Sequence, residues 1–263
     1  MYIIKLGGSV ITDKSKKSSF KSEIMDNLSQ EIKKANKKFI IIHGAGSFGH
    51  ILAKKYDLNQ GYINNYQLKG FSETMQMVQI LNSHVLKSLN LNGNQAVSIA
   101  PHNILKLNNH NIDKKNFEIF SDFLKKNFMP VTFGDVVLDE KLVFSICSGD
   151  LLVFELAKYF KPEKVIFVID EDGLYTSNPK LNKKAELLKN TNRIEIKKLS
   201  TNLNNHADVT KGMEGKISII NRIAKLGIDT ILLNGNKCER LYDALIENKI
   251  IGTIVQGDNN ESN

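Results

Sequence analysis

Long apolar runs are missing from this 263-residue chain. None approaches the ~20 residues that a helix needs to cross a bilayer, so a helical membrane protein is excluded and no membrane partner is expected. Cysteine is scarce: Cys147 and Cys238 stand far apart and in no metal-ligand spacing. The expectation is two reduced structural thiols, with neither a disulfide framework nor a zinc site. Proline is scarce too, and beside abundant Lys and Asn this reads as compositional bias that carries no mechanism. Acidic side chains fall short of basic ones, leaving a formal net charge of +8. That excess is scattered in short pairs such as Lys16-Lys17, Lys33-Lys34, Lys37-Lys38, Lys183-Lys184 and Lys197-Lys198, without aromatic interleaving. Nucleic acid is therefore not the expected partner; polyanionic small molecules are. A core-like strand from residue 2 leaves no charged leader ahead of it, and the expected location is cytoplasmic.

What is present is an alternation of apolar strands and helical stretches. Candidate strands are Tyr2-Leu6, Phe39-His43, Ala96-Ile99, Met129-Thr132, Lys164-Val168 and Thr230-Leu233. Between them Lys21-Ala35 and Leu68-Leu89 carry helical spacing, the second through Leu68, Phe71, Met75, Val78, Leu81 and Val85. Val136-Phe144 reads as a β-hairpin with a polar tip at Asp139, and Leu174-Leu203 as a polar connection. The pattern predicts an α/β fold, a three-layer αβα sandwich around a largely parallel central sheet, with ligands at the C-terminal ends of its strands. One domain is expected, divided near residue 165 into lobes of residues 1–165 and 166–263.

Two strands end in anion-binding turns. Phe39-Ile-Ile-Ile-His-Gly-Ala-Gly-Ser-Phe-Gly-His50 runs from a buried strand into glycines closed by a histidine, and Tyr2-Ile-Ile-Lys-Leu-Gly-Gly-Ser9 repeats the device with a lysine before the glycines. Glycine lets the backbone turn tightly enough for successive N–H groups and a helix N-terminus to face an anion. Two such turns imply two phosphate-bearing ligands.

These residues, with Ser148-Gly-Asp150, Asp170-Glu-Asp-Gly173 and Asp208-Val-Thr-Lys-Gly-Met-Glu-Gly-Lys216, follow the order used by the amino acid kinase superfamily. Ser47-Phe-Gly-His50 and Asp13-Lys14 most closely resemble its isopentenyl phosphate kinases, and the match spans nearly the whole chain. The resemblance implies transfer of the γ-phosphoryl of ATP to isopentenyl phosphate, with Mg2+ bound mainly through phosphate oxygens and water, and a homodimer. By the family pattern Lys5 lies between two phosphate sites, Lys14 stabilises the transferring group and Lys216 meets the β/γ-phosphates. Asp150 holds the lysines, and His50 donates a hydrogen bond to the acceptor phosphate. Nucleotide contacts fall on Lys5, Gly7, Gly8, Ser9, Gly46, Asp170, Asp172, Gly173, Gly212 and Lys216. Acceptor contacts fall on Gly44, Ala45, His50, Gly149, Phe71, Met75 and Ile146. No protein metal ligand is assigned.

Blander readings stand beside these. His50 also suits a helix start, Asp150 a helix N-cap, and Asp172-Gly173 a plain turn. Phe71, Met75 and Val78 form a stripe that suits core or subunit interface as well as a slot for a prenyl tail. His43, at the end of an apolar strand, reads as a satisfied core histidine, and His84, His102, His110 and His206 have no motif around them. Two departures from the family pattern are Lys211-Gly212, where two glycines are usual, and Ala45, where glycine is frequent. Fosfomycin kinases resemble the same subfamily, so a phosphonate acceptor is the nearest alternative; a non-catalytic nucleotide-sensing module is the alternative from another class.

Overall fold

The computed structural model describes residues 1–179, 181–204 and 211–258. In chain order it opens with β1 (Tyr2–Leu6), α1 (Gly8–Ile11), α2 (Ser22–Ala35), β2 (Phe39–His43), α3 (Gly46–Lys55) and α4 (Asn65–Leu91). There follow β3 (Ala96–Ser98), α5 (Pro101–Ile104), β4 (Leu105–Asn108), β5 (Asn111–Lys115), α6 (Glu118–Lys125), β6 (Met129–Phe133), β7 (Asp135–Asp139), β8 (Val143–Cys147) and α7 (Gly149–Phe160). The chain continues through β9 (Lys164–Ile169), β10 (Asn190–Asn192), α8 (Arg193–Asn204), α9 (Lys211–Ala224), β11 (Asp229–Asn234), α10 (Arg240–Leu245) and β12 (Thr253–Gln256).

Eight strands form the central sheet in the order β10-β12-β11-β9-β1-β2-β6-β3. Every pairing in it is parallel except β11 with β12. The strands read as continuous apolar runs because both faces are covered. Alternation along each strand divides the core in two. Ile3, Ile40, Ile42, Val165 and Phe167 pack with α6, α7, α8 and α9 on one face. Tyr2, Ile4, Ile41, Ile166 and Val168 pack with α2, α4 and α10 on the other. This is the expected αβα sandwich, and the sheet runs unbroken through residue 165, with β1 paired to both β2 and β9.

A second, four-stranded sheet in the order β5-β4-β7-β8 stands beside the first. The expected hairpin is its β7–β8 pair, antiparallel from Asp135 with Cys147 to Asp139 with Val143. Under it lies a third apolar cluster of Leu52, Tyr56, Leu58, Val136 and Phe144, against which Phe71, Met75 and Ile146 pack. The polar stretch expected as a mere connection contains β10 and α8 instead.

The two glycine turns meet backbone to backbone. A Cβ added to Gly8 would lie 2.6 Å from the Gly46 nitrogen, and Gly46 itself is left-handed, with φ of +50°. Gly215, inside α9, has the opposite surroundings, since its added Cβ meets nothing within 4 Å among the described residues. Gly215→Ala should therefore stabilise the protein by about 0.5–1 kcal/mol, the helical preference of Ala over Gly. Gly8→Ala, which must push the facing backbones away from each other, should destabilise it by about 1–3 kcal/mol. Urea denaturation of both variants checks the pair of signs.

Candidate active site

The carboxyl ends of β1, β2, β9 and β11 converge because the strands are parallel and in register, and each turn continues the ladder of its neighbour. Gly7 N–H donates to Val168 O at 2.8 Å, Gly44 N–H to Leu6 O at 3.0 Å, and Gly134 N–H to His43 O at 2.9 Å. The sheet thereby fixes where each glycine turn begins. Gly7, Gly8 and Ser9 lead from β1 into α1, while Gly44, Ala45 and Gly46 lead from β2 into α3, whose first turn ends in His50. No Cβ is needed at Ala45 for this geometry, and its small methyl is accommodated at φ −68°.

Lys5 is buried on β1, and its Nζ lies 2.6 Å from Asp150 Oδ1. Lys216 reaches the same carboxylate from α9, its Nζ 3.6 Å from Asp150 Oδ2 and over the ring of Phe167. Asp150 occupies the first turn of α7. The N-cap of that helix is Ser148, whose hydroxyl accepts from Leu151 N–H at 3.1 Å, so the capping alternative for Asp150 passes to Ser148. Burial works to raise the Asp150 pKa, but Lys5 and Lys216 outweigh it and hold the carboxyl below its ordinary value. Lys216 moves the other way: burial, then the charge of Lys5, brings it down to about 8 against the pull of Asp150. Two ammonium groups thus share one carboxylate in a site of low polarity.

Beside this cluster is a cavity of about 100 Å3 whose lining includes Lys5, Gly44, Ala45, His50, Gly149 and Asp150. Apolar Ala53, Val78, Val136 and Ile146 line it too, together with Thr74 and the buried carboxylate of Asp135. His50 is open to solvent at the rim although protein surrounds most of its ring. Burial, then the charges of Lys5 and Lys14, keeps its pKa below the ordinary histidine value. Lys14 is exposed on the loop between α1 and α2, close enough for its charge to act on His50.

The structure brings Lys5, Lys216, Asp150, Gly44, Ala45, Gly149, His50 and Ile146 to one place. Phe71 and Met75 lie in the adjoining apolar cluster, outside the lining of the cavity, and Thr74 and Val78 supply its helical wall. Asp170 follows the end of β9; Asp172 accepts from Asn234 Nδ2 at 3.0 Å, and the Leu174 N–H after Gly173 donates to Thr253 Oγ1 at 2.8 Å. Lys211 and Gly212 begin α9, whereas Asp208, Val209 and Thr210 of the same motif, and His206, lie outside the described residues. Among the described residues no group of three or more His, Cys, Asp or Glu could hold a metal ion.

His43 is a core histidine: wholly buried, stacked on Phe133, with Nδ1 3.1 Å from Gly44 O and Nε2 3.2 Å from Asn82 Oδ1. Burial pushes its pKa down to about 4. His102, which has no motif, pairs at 2.6 Å with Asp135, a buried carboxylate on the cavity wall. The only sequence signal for that wall was Gly134-Asp135 closing an apolar strand, the same punctuation as Asn234 at the end of β11.

The model of the amino acid kinase family matches residues 1–234. The isopentenyl phosphate kinase of Methanothermobacter thermautotrophicus is 35% identical over 98% of this chain and 99% of its own length. That of Methanocaldococcus jannaschii is 34% identical, over 93% and 94% respectively. An X-ray structure of isopentenyl phosphate kinase superposes with a TM-score of 0.85 at 32% identity, covering 97% of this chain and all of that one.

The shared carboxylate generates a prediction. Asp150→Asn removes the counter-charge of two buried lysines and should cost on the order of 3 kcal/mol at pH 7. Inorganic tripolyphosphate should raise the melting temperature of this variant more than that of the native protein, because it restores the missing negative charge. Thermal melts with and without tripolyphosphate measure both effects; equal shifts would contradict the assigned role.

Proposed function

The chain belongs to the amino acid kinase family, and from that premise we propose that it transfers the γ-phosphoryl group of Mg-ATP to isopentenyl phosphate, giving isopentenyl diphosphate and ADP. The observation that carries this reading is the Lys5–Asp150–Lys216 cluster beside the glycine turns, with a small cavity lined by His50 and turn residues as well as by apolar Ala53, Val78, Val136 and Ile146. Residues 1–165 supply the acceptor side and, through their glycine turns, part of the donor-phosphate site; residues 166–263 supply the rest of the nucleotide side.

Phosphoryl transfer passes through a loose transition state with charge spread over the phosphoryl oxygens, so positioning and fixed positive charge do most of the work. Gly8, Ser9 and Gly46 offer backbone N–H groups to the donor phosphates; Gly7, whose own N–H is taken by Val168 O, serves the close approach of the turn, and Lys216 meets the phosphates from α9. Lys5 stands between donor and acceptor, held by Asp150, and Lys14 reaches the transferring group from its loop. Magnesium brought with the nucleotide would offset charge on its phosphates; Asp150, committed to two lysines, would not hold it. Asp170, Asp172, Gly173 and Gly212 belong to the nucleotide side.

The acceptor is itself a phosphate monoester, largely dianionic at neutral pH since its second pKa is ~6. It needs no strong base. A neutral His50 donates a hydrogen bond to it, beside the amides of Ala45 and Gly149, with Gly44, whose N–H is taken by Leu6 O, allowing close backbone approach, and excludes acceptors that lack a phosphate. The apolar side chains Ala53, Val78, Val136 and Ile146 in the cavity lining suit a small branched tail. Its burial contributes about 0.8 kcal/mol per CH2, with Phe71 and Met75 backing the wall that the tail touches. A homodimer accords with the exposed Ile80 and Leu91 on α4. A cytoplasmic location accords with two unpaired cysteines.

ADP release should be selective for isopentenyl and dimethylallyl phosphate over fosfomycin, UMP, acetylglutamate and no acceptor. Turnover of fosfomycin or UMP in their place would reassign the acceptor pocket. In the same assay His50→Ala should lose about 10- to 100-fold in kcat, the worth of one hydrogen bond to a charged group, with the KM for ATP little changed. Nucleotide affinity should depend on pH through Lys216. Its free form gives up a proton near pH 8, while a polyphosphate favours the ammonium, so binding takes up a proton above that pH. Affinity for a non-hydrolysable ATP analogue should fall by up to about tenfold per unit from about pH 8.5 to 9.5. Lys216→Met should bind weakly and without that slope. Calorimetry in buffers of different ionisation enthalpy reads the proton directly.

A further inference from the structure

Glycine turns meeting backbone to backbone have no side chains with which to keep their register, so something else must hold them. Thr12, wholly buried just after α1, does so with both functions of its hydroxyl. Thr12 Oγ1 donates to Gly8 O at 2.6 Å on the first turn and accepts from Ser47 N–H at 3.0 Å on the second. A Cβ on Gly46 would lie 2.4 Å from that oxygen, which shows how closely the second turn is drawn onto it. Ser47 carries the connection one step further, its hydroxyl accepting from Ser19 N–H at 3.3 Å. Ser19 closes the base of the Lys14 loop, where Asp13 N–H donates to Ser19 O at 2.9 Å and Thr12 pairs with Phe20 in an antiparallel bridge.

We propose that Thr12 is a positioning residue that fixes the donor turn, the acceptor turn and the Lys14 loop in one register for transfer. The inference rests on the phosphotransfer reading above and adds to it a residue that touches neither ligand. In-line transfer needs reacting atoms about 3–3.5 Å apart, and a displacement of about 1 Å can cost about 10²-fold. Each turn keeps its own amides without Thr12, so each ligand still binds; what is lost is their mutual placement.

Thr12→Val keeps the shape and removes both hydrogen bonds. Its kcat per folded molecule should fall about 10- to 100-fold, with the KM for ATP and for isopentenyl phosphate within about threefold of native, and Thr12→Ser should restore kcat to within about threefold. A role in stability alone would lower the melting temperature and leave kcat per folded molecule intact. Hydrogen exchange of the free protein supplies an arm that does not depend on the acceptor: amides in residues 13–20 and 44–49 should exchange at least about tenfold faster in Thr12→Val, and at the native rate in Thr12→Ser. A native protein silent on prenyl phosphates would fail the functional reading, while the exchange arm would still decide the role of Thr12. If Thr12→Val does not fold, Ser47→Ala, which removes the side-chain tie to the Lys14 loop and leaves the Ser18 N–H bond to Ser47 O at 3.5 Å, should lower kcat and speed exchange in residues 13–20 alone. Native kcat or native exchange in whichever variant folds, or no recovery in Thr12→Ser, would overturn the proposal.

Discussion

Two like charges held on one carboxylate set the terms for the rest of this molecule. Lys5 and Lys216 are both buried, the charge of Lys5 bears on Lys216, and Asp150 is what permits them to stay there. Each comes from a different element: Lys5 from the centre of the sheet, Asp150 from the first turn of α7, Lys216 from α9. The cluster therefore reports the relative placement of three elements, and the packing of α7 and α9 on the sheet face through Leu152, Leu156, Ile217 and Ile220 is what brings them together. An unpaired ammonium at this depth would be costly, and so would the carboxylate alone. As a set they leave a net positive charge in a partly dry pocket, which is what arriving phosphates need.

The glycine turns answer a second demand of the same chemistry. On the proposed reading donor and acceptor phosphates, which repel, would both meet amides at very close quarters, where side chains would keep the two backbones apart. Gly8 and Gly46 remove that obstacle. The consequence is a region with little side-chain packing of its own, in which a few hydroxyls carry the order that apolar contacts carry elsewhere.

How much of this could be read beforehand differs by element. The central strands were legible because each is an apolar run ended by glycine or a polar residue, and the αβα arrangement follows from their alternation with helices. Lys5, His50, Asp150 and Lys216 were legible only as a combination, since each alone fits an ordinary structural role. The second sheet was not. β4 and β5 are short; Leu105 and Leu107 tie β4 to the core, and the turn between the two strands is held by Asp139, which sequence placed at a hairpin tip. Its carboxylate accepts from the amides of Asn109, His110, Lys141 and Leu142 and from Ser145 Oγ. Although burial opposes ionisation, those donors hold it far below the ordinary range. No local pattern announces contacts of that span. The helix α8 is a different case: Asn192 Oδ1 accepts from the amides of Ile194 and Glu195, and the Glu195 carboxylate accepts from Thr191 Oγ1 and Asn192 N–H. That start signal, an Asn followed three residues later by Glu, stood in the sequence beneath a surface too polar to draw notice.

The place of β1 has a consequence for how the chain is made. It lies in the middle of the sheet, bonded on one side to β2, which follows it closely, and on the other to β9, which begins only at Lys164. During synthesis the Tyr2–Leu6 segment can find its first neighbour early, but its second open edge has to wait while α4, the whole small sheet and α7 emerge. An apolar strand with an unsatisfied edge is the kind of surface on which nascent chains aggregate. The strand that carries Lys5 is thus also the one at which β2, β6 and β3 on one side are joined to β9, β11, β12 and β10 on the other, so a chaperone that shelters a growing polypeptide has a target here in the interval before β9 arrives.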